Sequence, residues 1–173
     1  FANLSTASDL GQPLVVQGGR TGLSGASRPF AGEVSLSLER MSGVESLDTA
    51  SQTMIVAAGT PLQVVQQAAS DADLFFGVDI GARGTATVGG NIGTNAGGIR
   101  VLRYGMYRAQ VMGVEAVLPD GTVLSSLKGL PKDNSGYDLS PLFIGTEGTI
   151  GVITRACLKL HPKPKIERNA FLA

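Results

Sequence analysis

Residues Val88 to Gly98 read VGGNIGTNAGG, with five glycines, two asparagines and one threonine. So little side-chain bulk leaves mostly backbone exposed, and glycine alone accepts positive φ and close approach without a steric penalty. The natural guest for such a segment is a phosphate or a planar ring. Two further glycine-rich segments, QGGRTGLSG from Gln17 to Gly25 and GTEGTIG from Gly145 to Gly151, share this character. Three of them in one chain point to one extended, nucleotide-like ligand.

Composition narrows the partners. The chain has 173 residues, 43% of them hydrophobic, which suffices for one domain with a continuous core, in one or two lobes. Fourteen Lys and Arg balance fourteen Asp and Glu, so the polycation of a nucleic-acid binder is missing. A single cysteine, Cys157, excludes an internal disulfide framework, and no apolar run reaches the roughly 18 residues of a membrane span. A soluble protein of the reducing cytoplasm, with peripheral membrane association left open, is expected. The start at Phe1 suggests a chain missing its beginning.

The rest of the chain supplies a scaffold. Leu4–Leu10 suits a helix end, stopped by Gly11 and Pro13. Leu14, Val15 and Val16 form a short apolar run, expected as a strand buried on both faces of a parallel sheet. In the next turn Gly18, Gly19 and Gly22 expose successive N–H groups, with Thr21 and Ser24 adding hydroxyls. That is either a plain glycine turn or a cradle for a pyrophosphate. Glu33–Leu38 alternates Val34, Leu36 and Leu38 inward. Met41–Asp48 reads as loop, and Thr53–Ala58 as an apolar strand. A helix then begins with Thr60 as N-cap and Pro61 in the first turn, runs to Ala72, and buries Leu62, Val65 and Ala69. Phe75–Thr87 is a long connection of the kind that is usually functional. Val111–Leu118 and Thr122–Ser125 form a hairpin through Pro119-Asp120-Gly121, where Asp-Gly favours the primed turns. Asp138–Ile144 is a short helix, Ile150–Leu160 a long strand, and the chain leaves at Pro162 and Pro164. The fold class is α+β: a small parallel β-α lobe, then a larger, mainly antiparallel sheet with flanking helices.

Familiar chemistry is missing. There is no GxxxxGK[ST] and no GxGxxG spacing. One histidine and one thiol cannot make a zinc site unaided. His161, beside Pro162, is expected at the surface at a strand end, and Cys157 in the core.

In order and spacing, the three glycine segments resemble the FAD-binding domain of the vanillyl-alcohol oxidase (PCMH) superfamily. Within it, RYG at Arg103–Gly105, KDNSGYDL at Lys132–Leu139 and FIGTEGTIGVIT at Phe143–Thr154 are most similar to D-2-hydroxyglutarate, D-lactate and glycolate dehydrogenases. The resemblance implies an FAD-binding domain over 1–165, an exit linker over 166–173, and a C-terminal substrate domain that is absent. It implies that the pyrophosphate rests on Gly18, Gly19, Arg20, Thr21 and Gly22 beside Leu23. Asp79, Gly84, Gly89, Gly90, Thr94 and Gly97 would line the flavin and ribityl chain, and Glu147, Gly148 and Ile153 the adenosine end.

Some relatives tether FAD through a histidine where this chain has Arg20, so non-covalent FAD is expected. The implied reaction is oxidation of a D-2-hydroxyacid, with an electron-transfer flavoprotein, quinone or cytochrome as acceptor. Carboxylate-binding and proton-accepting groups are expected from the absent domain, so no catalytic residue is named; Arg103 and Lys132 are assisting cations at most. An oxidase or aldonolactone oxidoreductase on the same scaffold, or an FAD- or nucleotide-binding module without turnover, are the alternatives.

Overall fold

The structure is a computed structural model that describes residues 2–130 and 133–166; Lys132 and the linker positions 167–173 lie outside the described residues. The chain opens with α1 (Ala2–Asp9), ended by Gly11 at φ +61°. Strands β1 (Leu14–Gln17) and β2 (Val34–Ser37) then pair in parallel, Leu14 opposite Val34. Five glycines and Pro29 between them leave no room for a crossover helix. This pair is more open than expected. Leu14, Val15 and Val16 are only half-buried, and Val34 is exposed, because a two-stranded sheet has a single neighbour to cover each face.

The main sheet has the strand order β3-β4-β8-β6-β7 and is antiparallel throughout. Its members are β3 (Val44–Asp48), β4 (Thr53–Ala57), β6 (Val111–Val117), β7 (Val123–Ser125) and β8 (Val152–Lys159). The strand β3 replaces the expected loop over Met41–Asp48. Its apolar residues, Val44 and Leu47, are three apart, which hides a period of two, and a register shift between Val44 and Ser46 brings both against the core. The β6–β7 turn is wider than a two-residue primed turn: Gly121 N–H donates to the Leu118 carbonyl, and only Gly121 has positive φ. At the centre of the sheet, Arg155 and Thr154 hold the buried Glu115 carboxylate. The Arg155 guanidinium holds the Glu115 pKa below the usual carboxylate range.

Helix α2 (Leu62–Asp71) buries Leu62, Val65 and Ala69 as its spacing requires. Thr60 does not cap it. The Thr60 hydroxyl is buried and donates to the Ala57 carbonyl at 2.7 Å, while Pro61 occupies the cap position. Its N–H is absent, so the first turn loses nothing there. After β5 (Leu74–Phe75) the chain reaches α3 (Val88–Gly93), then α4 (Val101–Tyr104), a 3-10 turn over Tyr107–Gln110, and α5 (Ser140–Phe143). One continuous core joins α2 and α3 to β4, β6 and β8 through residues such as Val65, Val88, Ile92, Val56 and Ala156.

Strand β9 (His161–Pro162) pairs with β5. This places His161 in a half-buried cluster rather than at the surface. Its Nε2 lies 2.8 Å from Gln110 Oε1, its ring packs on Tyr104, and burial with nearby Lys159 and Arg103 pushes its pKa down. Cys157 is buried on β8, which raises its thiol pKa.

Candidate functional site: a cavity walled by three glycine segments

The central stretch is not a loop throughout, since Val88–Gly93 forms the short helix α3. Tertiary hydrogen bonds make that possible for so glycine-rich a sequence. Val88 N–H donates to Thr60 O at 2.9 Å and Gly89 N–H to Ala58 O at 2.7 Å, fixing the first turn against the end of β4. A Cβ on Gly89 would lie 2.8 Å from Ala58 Cβ, so only glycine allows this approach.

The first glycine segment docks on the residues just before α3. A Cβ on Gly19 would stand 1.8 Å from Thr85 O, and one on Gly18 would stand 2.4 Å from Thr87 Oγ1. Arg20 follows at φ +55°, a left-handed conformation uncommon for a residue with a side chain, and its guanidinium reaches Glu39 at 3.4 Å on the exposed rim. The third segment closes the other side: Glu147 N–H donates to Gly93 O at 3.0 Å, and Gly145 N–H to Ile92 O at 3.1 Å.

These contacts enclose an open cavity of about 230 Å³. Gly18, Gly19, Arg20, Thr21 and Gly22 line it from one side, Gly89, Gly90 and Thr94 form its floor, and Glu147, Gly148 and Ile153 complete the wall. The cavity thus unites eleven of the fifteen residues singled out from the sequence. The other four lie elsewhere. Leu23 is fully exposed outside the lining, Gly84 is exposed on the connection before α3, and Gly97 packs against Val101 and Met106. Asp79 is buried with its carboxylate 3.1 Å from Arg83 and 3.4 Å from Arg100, and its carbonyl accepts from Ile99 N–H. Asp79 therefore pins the end of the glycine stretch, while its neighbour Ile80 reaches the cavity.

Gly90 lines the cavity under less constraint than Gly89: it is helical, does not adopt positive φ, and a Cβ there would meet only Thr87 Oγ1, at 3.3 Å. Arg103 is an exposed packing charge over the Tyr104 ring, and His161 sits in the β5–β9 cluster; neither lines the cavity.

Several lining residues carried no signal in the sequence. Val16, Leu38, Ile80, Ala96 and Val152 make the apolar part of the wall, and each looks like an ordinary core residue when read in isolation. Thr87 and Asn91 are more informative. Both are nine-tenths buried and line the cavity, yet among the described residues Thr87 Oγ1 and Asn91 Nδ2 have no hydrogen-bond partner. Asn91 also faces the Tyr107 hydroxyl, whose pKa burial raises, but without a bond of acceptable geometry. Buried polar groups are rarely left unpaired. Two of them on one cavity, beside backbone stripped of side chains, fit a ligand that brings its own acceptors together with a flat apolar surface.

The sequence profile of the FAD binding domain family matches residues 2–126. The chain belongs to that family. Among curated relatives, this FAD-binding domain is 47% identical to the mitochondrial D-2-hydroxyglutarate dehydrogenase of Bos taurus over 156 residues, 90% of the chain and 29% of the relative. It is 46% identical to the D-2-hydroxyglutarate dehydrogenase of Xanthomonas citri pv. viticola, covering 92% of the chain and 34% of the relative. The domain therefore spans about a third of the length of these relatives. An alkyldihydroxyacetonephosphate synthase shares the fold, with a TM-score of 0.82 over 95% of the chain and 30% of that protein, at 23% identity. The α+β architecture of a small parallel pair and a larger antiparallel sheet is thus that of the family. Among the described residues no helix is long and apolar enough to cross a membrane.

Proposed function

We propose that this chain is the flavin-holding part of an FAD-dependent dehydrogenase that oxidises a D-2-hydroxyacid to the 2-oxoacid. The observation that carries the proposal is the convergence of three glycine segments and two unpaired polar side chains on one cavity. The names of the two D-2-hydroxyglutarate dehydrogenases support the substrate class.

Gly18 to Gly22 would present backbone N–H groups to the pyrophosphate, with the Arg20 guanidinium at the rim. Gly89, Gly90 and Thr94 would form the surface under the flavin and ribityl chain. Glu147, Gly148 and Ile153 would border the adenosine end, and the apolar wall of Val16, Ile80 and Ala96 would exclude water. Bound there, FAD supplies the two-electron acceptor for the hydride leaving the substrate α-carbon. The chain's own residues hold and orient it. Removing the hydroxyl proton calls for a base within hydrogen-bond reach. The sole histidine, His161, is bound to Gln110 away from the cavity, so we assign proton removal and carboxylate binding to groups outside these 173 residues. In that reading 1–165 is the FAD domain and the chain exits after it.

We also infer dissociable FAD, because Arg20 stands where a tethering histidine would be and Cys157 is buried in β8 away from the cavity lining. An electron-transfer flavoprotein, quinone or cytochrome would reoxidise it. The single buried thiol suits a reducing compartment. We place the protein in the cytoplasm, and the mitochondrial label of the Bos taurus relative makes fractionation the deciding measurement.

The functional test adds D-2-hydroxyglutarate, D-lactate and D-malate, without air, to the whole FAD-loaded protein carrying this chain. Bleaching of the flavin band by at least one is expected. A loaded protein that none of them bleaches would refute the dehydrogenase assignment.

A further inference from the structure

The described residues also form a second cavity, of about 370 Å³, which shares no lining residue with the glycine-walled one. Three cations line it: Arg83 from the connection before α3, Arg100 from just before α4, and Lys163 from just after β9. No acidic side chain is among the lining residues. Gln66 and Ser70 of α2 and Phe75 of β5 complete the polar edge and the aromatic wall.

The two guanidiniums are held in place by the fold itself. Arg83 lies 3.1 Å and Arg100 3.4 Å from the carboxylate of Asp79, whose side chain is 4% exposed, and Gln66 Nε2 donates to the same carboxylate at 3.3 Å. Arg100 also sits over the Phe75 ring, 4.8 Å from its centroid, a cation–π contact that fixes its direction. A guanidinium carries five N–H donors. Among the described residues, Asp79 is the only polar partner of either one, so most of their donors are unspent. Lys163 Nζ donates to Ser70 Oγ at 3.1 Å and takes no part in holding Asp79.

Charge shows what the cavity suits. Three cations around one carboxylate leave a surplus of two positive charges, in a chain whose fourteen cations and fourteen anions balance as a whole. Guanidinium forks match the oxygens of a carboxylate or phosphate, and an ammonium adds a point charge beside them.

We propose that this cavity is a binding site for a small dianion, a phosphate group or a dicarboxylate, held by the free N–H groups of Arg83 and Arg100 and by Lys163. The site does not depend on the flavin assignment, because its donors are side-chain cations rather than the backbone of the glycine segments.

The test titrates inorganic phosphate and, separately, succinate into the whole protein carrying this chain, by calorimetry at fixed ionic strength. Excess FAD is present to keep the probes from the glycine segments. Saturable binding of one anion per chain is expected from at least one probe; phosphate alone, succinate alone or both would tell which source of the shared chemistry the site takes. A hydrogen bond to a charged group corresponds to about a ten- to hundredfold change in affinity, so Arg100→Gln should weaken the anion at least about tenfold. Arg100→Gln also takes a partner from Asp79, so Lys163→Gln is the second variant. Lys163 is exposed and bonds only Ser70, so Lys163→Gln should melt within about 2 °C of wild type yet bind the anion at least about threefold more weakly. Arg40→Gln, the same charge change at an exposed position outside both cavities, should leave binding unaltered.

No saturable binding of either probe to the wild-type protein would overturn the proposal. Wild-type affinity in both Arg100→Gln and Lys163→Gln would place the anion elsewhere and overturn it as well. An equal loss in Arg40→Gln would show a general charge effect rather than a site, with the same consequence.

Discussion

Gly19→Ala should be far more damaging than its single methyl group suggests. The added Cβ would lie 1.8 Å from Thr85 O, 2.7 Å from Thr85 C and 3.1 Å from Ala86 Cα, all of them backbone atoms. A carbon approaches a carbonyl oxygen to about 3.3 Å at closest, so the glycine turn and the 85–86 segment would have to separate by about 1.5 Å. The 85–86 segment resists that movement. Thr85 and Ala86 N–H both donate to Ala82 O, and Ala86 O accepts from Leu62 N–H at the start of α2. Overpacking against such an obstacle costs about 1–3 kcal/mol, and backbone on both sides puts this site near the upper end. For a domain of this size that is roughly a 6–12 °C drop in melting temperature. The turn also carries the Gly18–Gly22 wall of the cavity, so FAD affinity should fall by at least about tenfold, the 1.4 kcal/mol equivalent. Gly136→Ala is the control, because a Cβ there meets nothing within 4 Å, φ is not positive and the residue lies outside the cavity lining; a change within about 0.5 kcal/mol is expected. The readouts are thermal melting and flavin fluorescence quenching on all three proteins. If Gly19→Ala melts and binds FAD like wild type, the close approach of the two segments is refuted.

Two further outcomes follow from the sheet and the cavity rim. Arg155→Met leaves the 5%-exposed Glu115 without its guanidinium and should cost about 3 kcal/mol at pH 7, the low end of the range for buried pairs because Arg155 is itself partly exposed. The Glu115 pKa is lowered in the folded state, so the stabilisation is present above its ordinary value near 4.5 and is lost as pH falls through the folded value. Chemical denaturation of wild type and variant should therefore show a gap that narrows below pH 4.5, and a gap independent of pH would contradict this. Acid precipitation of the FAD-loaded protein should leave a colourless pellet and a yellow supernatant; flavin retained in the pellet would contradict a dissociable cofactor.

The sequence displays the parts of this fold that depend on local rules. Alternation and apolar runs mark β4, β6 and β8, and the spacing of Leu62, Val65 and Ala69 marks α2. What it conceals depends on partners distant in the chain. The strand β3 is invisible because a bulge offsets Val44 from Leu47, and α3 looks like loop because its first-turn N–H groups are satisfied by Ala58 and Thr60 rather than by helix-forming side chains. At the site, the absence of side chains was legible, which is why Gly18, Gly19 and Gly89 could be picked out. Residues defined by what surrounds them were not. Asp79 has the composition of a ligand-facing acid but is enclosed by Arg83 and Arg100, whereas Thr87 resembles any threonine until its hydroxyl is seen to lack a partner. His161 next to a proline suggests a surface position, and only the β5–β9 pairing shows it packed on Tyr104.

The most direct test of the central claim is a titration of the cofactor-free protein with FAD, followed by flavin fluorescence, with ADP then added as competitor. Saturable quenching at one FAD per chain, reversed by ADP and weakened at least about tenfold in Gly19→Ala but not in Gly136→Ala, is the predicted result. No saturable quenching by FAD, or quenching to which ADP and Gly19→Ala are both indifferent, would show that the cavity between the three glycine segments is not the flavin site.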